Sequence, residues 1–167
     1  MPHEFKVIRR VEFSETDMEG IMHFSNFFRF METAEHAFFR SLGYSAVLSR
    51  NGLEVCLPRV HAECDYQAPL HFEDEVLIHM LVQRKGSRSL TYEFRFYRIV
   101  GTKHEPVARG KVTAVCAARQ SDGSFKAVPL PKELAQHIEE APSHCLDPQP
   151  HHRKMDERQN PAGVAAK

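Results

Sequence analysis

The chain carries no excess of charge. Lys plus Arg is 22 and Asp plus Glu is 22, so no global field draws it to nucleic acid or to a membrane surface, and any phosphate contact must be local. It also lacks a long apolar run at its start. "MPHEFKVIRRVEF" interleaves charged and apolar residues, which argues against a signal peptide or a membrane span and sets the expectation of a soluble, cytoplasmic protein. Cysteine is sparse, and the Cys-x-x-Cys spacing is missing. Cys56, Cys64, Cys116 and Cys145 are scattered, three of them in apolar or alternating segments, so they read as free structural thiols and not as a disulfide or zinc framework. The two adjacent histidines of the late "HHRK" have no ordered companions and make a poor metal site. No metal and no cofactor is expected, and no internal repeat is visible.

What is present is enough sequence for one core. A chain of 167 residues fits one domain, since domains most often run roughly 100 to 150 residues. Residues 5–13, "FKVIRRVEF", supply apolar positions at Phe5, Val7, Val11 and Phe13 and predict a strand whose charged pair marks a solvated face. From Ser25 to Leu42, Phe27, Phe28, Phe30, Met31, Ala34, Ala37, Phe38 and Leu42 recur at three- and four-residue intervals, predicting a long amphipathic helix. Ser25 or Asn26 is the expected cap and Gly43 the C′ glycine. After a loop near "SRNGLEV", extended segments are predicted at about 56–66, 74–84, 88–99 and 106–118, with "RKGSR" (84–88) as a hairpin turn. Pro129 and Pro131 introduce a short helix, "KELAQHIEE". Residues 1–141 then form the domain, and 142–167, polar and carrying four prolines, read as a disordered or loosely packed tail. This order calls for an α+β domain, an antiparallel sheet with one apolar helix on a face.

The chemistry concentrates at "ETDMEGIMHFSNFF", where Asp17 and Gly20 run into the greasy helix. A carbonyl under attack needs a nucleophile or a base for water, and donors where an oxyanion develops. A carboxylate with an ordinary pKa of about 3.9 can serve as either, and the first N–H groups of a helix can serve as donors. Gly20 permits the tight or left-handed backbone that lets the two converge. Taken alone, Asp17 and Gly20 fit a simple capped turn equally well.

"TDMEGIMHFSNFFRFMETAEHAFFRSLG", at Asp17, Gly20, Ile21, Met22, Phe24, Asn26 and Gly43, resembles the signature of the hotdog-fold thioesterases of the 4-hydroxybenzoyl-CoA thioesterase type. The blocks "CDYQAPLHFEDEV", "GSRSLTYEFRFYR" and "ARGKVTAVCAARQSDGSFKAVPLPKEL" follow in the family's order, so the likeness spans about residues 5–140. The resemblance implies a hotdog fold, with an antiparallel sheet of about five strands wrapped around one long helix. It also implies hydrolysis of an acyl-CoA or acyl-carrier-protein thioester, with no cofactor, in a homodimer or dimer of dimers whose active sites lie between subunits.

The resemblance puts Asp17 in the catalytic position, as nucleophile or general base, with Gly20, His23 and the Phe24 N–H at the oxyanion and substrate site. His23 stands where relatives often have Trp or Tyr. Phe24 stands where some have His, and Ile21 replaces the His of a Gly-His-x-Asn-Asn variant, so histidine assistance is not implied. Glu35 is a backup catalyst, because another hotdog branch uses a helix glutamate; Glu32 reads as a solvated helix residue. Arg84, Lys85 and Arg88, with Ser89, are candidates for the phosphates of CoA, which need cations at the mouth of an apolar slot. The rival readings are a hotdog hydratase or dehydratase, whose Asp-x-Asn-Pro-x-His pattern is missing, and a non-catalytic acyl-CoA-binding module.

Overall fold

The computed structural model describes residues 2–45, 48–50 and 53–146. The elements are β1 (Glu4–Arg10), α1 (Asn26–Ser41), β2 (Leu48–Arg50), β3 (Leu53–Cys56), β4 (Arg59–Tyr66), β5 (Glu75–Lys85), β6 (Ser89–Val100), β7 (Lys103–Val115), β8 (Ala117–Arg119), β9 (Phe125–Ala127) and α2 (Lys132–Gln136). A five-stranded sheet has the order β1-β5-β6-β7-β4 and every pairing in it is antiparallel. The expected hairpin turn lies between β5 and β6, closed by Gly86 N–H to the Ser89 carbonyl at 2.8 Å.

Alternation with a period of two builds the inner face of this sheet. Val76, Ile78, Met80 and Val82 of β5, and Leu90, Tyr92, Phe94 and Phe96 of β6, are all buried. Against them α1 presents Phe27, Phe30, Met31, Ala34 and Phe38, each large side chain stabilising by roughly 1.5–3 kcal/mol. Met31 of α1 fits against Gly110 of β7 because that residue has no side chain: a Cβ there would collide with the Met31 methyl and lie 3.2 Å from the Glu63 carbonyl oxygen. Beyond the helix, Gly43 takes φ +84°. Tyr44 N–H reaches the Phe39 carbonyl at 2.9 Å and Gly43 N–H the Arg40 carbonyl at 3.0 Å, a Schellman stop.

Several expectations are corrected. β1 ends at Arg10, and Phe13–Glu15 form a 3₁₀ turn. Only one residue of the arginine pair is solvated. Arg9 turns inward, its guanidinium 4.5 Å above the Phe30 ring and bonded to Thr33 of α1 at 3.3 Å and to Glu15 at 3.2 Å. The segment expected as a loop pairs as β2 and β3, which join β8 and β9 in a second, four-stranded sheet. Ser25 stands at the N-cap of α1 as expected, but its side chain makes no capping hydrogen bond because its hydroxyl is engaged by His23, and the Asn26 amide is spent on the Glu15 carbonyl. At the start of the expected tail, Ser143–Cys145 form a 3₁₀ turn whose Cys145 carbonyl accepts Arg95 at 2.7 Å. Residues 147–167, with the "HHRK" motif, lie outside the described residues.

Candidate active site

The loop from Glu15 to His23 folds back on itself. His23 N–H donates to the Glu15 carbonyl at 2.9 Å, Thr16 pairs with Met22, and Asp17 N–H donates to the Ile21 carbonyl at 2.9 Å. Gly20 closes the tip by donating to the Asp17 carbonyl at 3.0 Å, with φ +74°, where a side chain would be strained. Asp17 Oδ1 accepts the N–H of Glu19 at 3.0 Å and of Ile21 at 3.4 Å. This Asx-type turn fixes the half-buried carboxylate through one oxygen, and the second makes no hydrogen bond among the described residues.

The same folded loop sets the start of α1. The Glu15 carbonyl receives both His23 N–H and the Asn26 side-chain amide, the latter at 2.7 Å. The donors at the helix entrance are then used in order: Ser25 N–H on His23 Nδ1 at 3.4 Å, Asn26 on the His23 carbonyl at 2.9 Å, Phe27 on Phe24 at 3.4 Å and Phe28 on Ser25 at 3.2 Å. The Phe24 N–H alone in this run has no acceptor among the described residues. It lies at the positive end of the helix dipole, and the Phe24 side chain is 60% exposed. Tyr66 of β4, which sequence reasoning missed, donates its hydroxyl to the Phe24 carbonyl at 3.2 Å and stacks edge-on against Phe27.

His23 is occupied locally. Its Nδ1 is 2.8 Å from Ser25 Oγ, also accepts Ser25 N–H, and the ring lies against Phe24. Accepting a main-chain N–H at Nδ1 leaves the proton of the neutral ring on Nε2. The ring thus organises the helix entrance.

The basic cluster of the hairpin turn is not brought to this loop. The Asp17 loop packs on residues 70–71, through Met22 N–H to Leu70 and the pairing of Ile21 with His71, just before the start of β5. Arg84, Lys85, Arg88 and Ser89 lie at its far end. The eleven residues of β5 put about 33 Å between the two at roughly 3.3 Å per residue. Lys85 is moreover spent: its ammonium donates to the carbonyls of Ala135 at 3.0 Å and Ile138 at 2.6 Å, holding the end of α2. Arg84 and Arg88 remain exposed, and Ser89 lies against Gly86.

A second polar group lies beneath α1. Phe28, Arg29, Met31, Glu32, Glu35, Arg59, Ala62, Phe94 and Val112 line a pocket of about 210 Å³ that opens to solvent. Glu35, 2% exposed, is bonded to Arg59 of β4. Burial pushes its carboxyl up to about 7 against the opposing pull of Arg59. Eleven residues separate it from Phe24, about 16 Å of helix axis, so Glu35 does not share the Asp17 loop as a catalyst would. Among the described residues no helix is long and apolar enough to cross a membrane.

Comparison with known proteins bears on the family and the fold. The family model of the thioesterase-like superfamily matches residues 11–138. The 1,4-dihydroxy-2-naphthoyl-CoA hydrolase of Synechococcus elongatus is 28% identical over 133 residues, 78% of this chain and 92% of its own. A 1,4-dihydroxy-2-naphthoyl-CoA thioesterase structure from Synechocystis superposes with TM-score 0.67 at 22% identity, covering 78% of this chain and 92% of its own. The 4-hydroxybenzoyl CoA thioesterase of Pseudomonas sp. strain CBS-3 does so with TM-score 0.69 at 16% identity, covering 81% and 99%. At those identities the two structures speak for the fold, the sheet wrapped on one helix expected of a hotdog domain. The family match carries the rest: this chain belongs to the thioesterase-like superfamily and is a hotdog-fold thioester hydrolase.

Proposed function

We propose that the protein hydrolyses an acyl-CoA thioester at the Asp17 loop. The observation that carries this is the Phe24 N–H: a main-chain donor at a helix start, without an acceptor among the described residues, in the same pinned loop as a carboxylate with one uncommitted oxygen. A thioester carbonyl oxygen accepting that N–H gains stabilisation as negative charge grows on it, since the donor is already oriented and the helix dipole has the right sign. Asp17 then either attacks the carbonyl carbon or takes a proton from an attacking water. In the first route a C–O bond forms, CoA leaves with the C–S electron pair, and water cleaves the resulting anhydride. In the second, the tetrahedral adduct expels the CoA thiolate directly. Gly20 and His23 hold the loop in shape for both.

The acyl-CoA reading draws on the Synechococcus elongatus relative, a hydrolase of such an ester by name. Free thiols at Cys56, Cys64, Cys116 and Cys145 accord with a reducing, cytoplasmic setting. A homodimer completes the proposal: β4 ends the five-stranded sheet with its residues almost all exposed, Val60 at 63% and Tyr66 at 47%, and an open edge of this kind is a template for a second copy.

The test is thiol release from a panel of acyl-CoAs by wild type and Asp17→Asn. The Asn side-chain oxygen can still accept from Glu19 and Ile21, so the fold survives, and turnover should fall by about 10²–10⁴. Equal turnover by the variant on substrates the wild type cleaves would overturn the assignment. Single-turnover hydrolysis in oxygen-18 water separates the two routes, because only the anhydride leaves label in the Asp17 carboxylate.

A further inference from the structure

We propose, resting on the thioesterase reading, that Tyr66 is a positioning residue of the reaction: its hydroxyl holds the peptide that follows the Phe24 N–H and so fixes the direction in which that donor meets the carbonyl. The Phe24 N–H and the His23 carbonyl share one peptide plane, and Asn26 N–H holds that carbonyl at 2.9 Å. The Phe24 carbonyl belongs to the next plane, joined to the first through the two backbone dihedrals of Phe24 alone. Helical bonding holds this second plane weakly. The entrance of α1 is wound in three-residue steps, Asn26 on His23, Phe27 on Phe24 and Phe28 on Ser25, a 3₁₀ pattern whose hydrogen bonds are poorly aligned. At 3.4 Å the Phe27 bond is the longest of the three.

Tyr66 supplies the shorter bond to that carbonyl, from its O–H at 3.2 Å. Its ring is partly exposed, yet buried neighbours set its place: it stands edge-on to Phe27, and Phe27 stands edge-on to Phe96, with 5.2 Å between centroids in each pair. The strand end that carries it is pinned as well, because Gln67 and Ala68 N–H both donate to the Val107 carbonyl, at 2.8 and 3.1 Å. The Cys64 thiol, two positions back on β4, faces the same hydroxyl. Burial pushes that thiol up to about 12. It therefore stays neutral, a weak acceptor that leaves the O–H to the carbonyl. The hydroxyl touches no reacting atom in this arrangement. It acts through the aim of the Phe24 N–H, and aim counts most as charge grows on the carbonyl oxygen, so its loss falls on kcat and not on KM.

The experiment measures kcat and KM for thiol release from the best acyl-CoA of the panel, together with amide hydrogen exchange, in wild type, Tyr66→Phe and Tyr66→p-aminophenylalanine. Phenylalanine keeps the ring against Phe27 and deletes the donor; the amino group returns an N–H donor at the same place. In Tyr66→Phe, kcat should fall about three- to tenfold with KM held within about twofold, the effect of one neutral hydrogen bond. The amides of Asn26, Phe27 and Phe28 should exchange faster in that variant, while those of Phe38 and Phe39 hold. The amino variant should recover most of kcat. Unchanged kcat in Tyr66→Phe, whatever its stability, overturns the inference and leaves a structural tyrosine. A loss carried by KM overturns it too, as does a loss of kcat that the amino group fails to restore; in each case wild-type thiol release stands. No hydrolysis of any acyl-CoA by wild type overturns the underlying reading instead.

Discussion

Replacing Glu35 by Gln should change the pH dependence of folding stability in a defined direction. The Glu35 carboxyl moves from an ordinary 4.5 to about 7 in the folded protein, chiefly because burial disfavours its charged form, with Arg59 and the Tyr92 hydroxyl pulling the other way and Glu32 adding a small push upward. Between those two values the folded state holds a proton that the unfolded chain has released, so stability drops as pH rises. The penalty is absent below about 4.5 and complete once pH passes the folded value. A displacement from 4.5 to about 7 corresponds to about 3 kcal/mol at 1.36 kcal/mol per unit, a large part of the 5–15 kcal/mol reserve of a typical domain. Gln carries no titrating proton, so urea unfolding of wild type and Glu35→Gln should give midpoints that converge or cross between about pH 5 and about pH 7.5, the wild type losing about 3 kcal/mol relative to the variant. The comparison cancels histidines that titrate in the same window. Parallel profiles for the two proteins, with unchanged m-values, would refute the assigned burial penalty and show that Arg59 fully offsets it.

Lys85→Met removes the ammonium that holds the Ala135 and Ile138 carbonyls and should lower stability by about 1–3 kcal/mol; kcat/KM should hold, and a KM rise without loss of stability would restore a phosphate role for this lysine. Gly20→Ala places a side chain at φ +74° in otherwise open space, costing about 1–2 kcal/mol; its expected signature is a drop in kcat larger than in 1/KM, and unchanged kcat would mean that the turn does not aim Asp17. Sedimentation equilibrium should give a dimer or larger assembly of even copy number, and Val60→Glu, at the exposed edge of β4, should shift it toward monomer; a monomeric wild type at micromolar concentration would remove the shared-edge proposal.

The sequence pattern made α1 and the long strands legible because each writes its own period into the chain, three and four residues for the helix and two for β5 and β6. The turn at Asp17 and Gly20 was legible for a local reason too: only a short acceptor side chain followed by a residue tolerant of positive φ builds it. The features that escaped depend on partners far along the chain. β2, β3, β8 and β9 are three or four residues each and exist through pairing, which no periodicity in so short a run can announce. Ser25 has the composition of a cap, yet His23 Nδ1 takes its hydroxyl. Lys85 looks like a free turn cation until α2 arrives fifty residues later and uses it. Glu35 reads as one acidic residue in an amphipathic helix, and nothing local to it reveals Arg59 or Tyr92.

The two ends of α1 are therefore built by different means, and this bears on how the protein would diverge. At the entrance the candidate oxyanion donor is a main-chain N–H, oriented by the Glu15 carbonyl through His23 N–H and the Asn26 amide, so the identity of the exposed side chain at Phe24 contributes little to it. Under α1 the pocket is lined by side chains: the apolar walls, the Met31 methyl that fits only because residue 110 is glycine, and the Glu35–Arg59 pair. Substitutions there change the packing of α1 on the sheet while leaving the main-chain donor at Phe24 in place. Any replacement there must still pair the polar groups it buries, Glu35 above all.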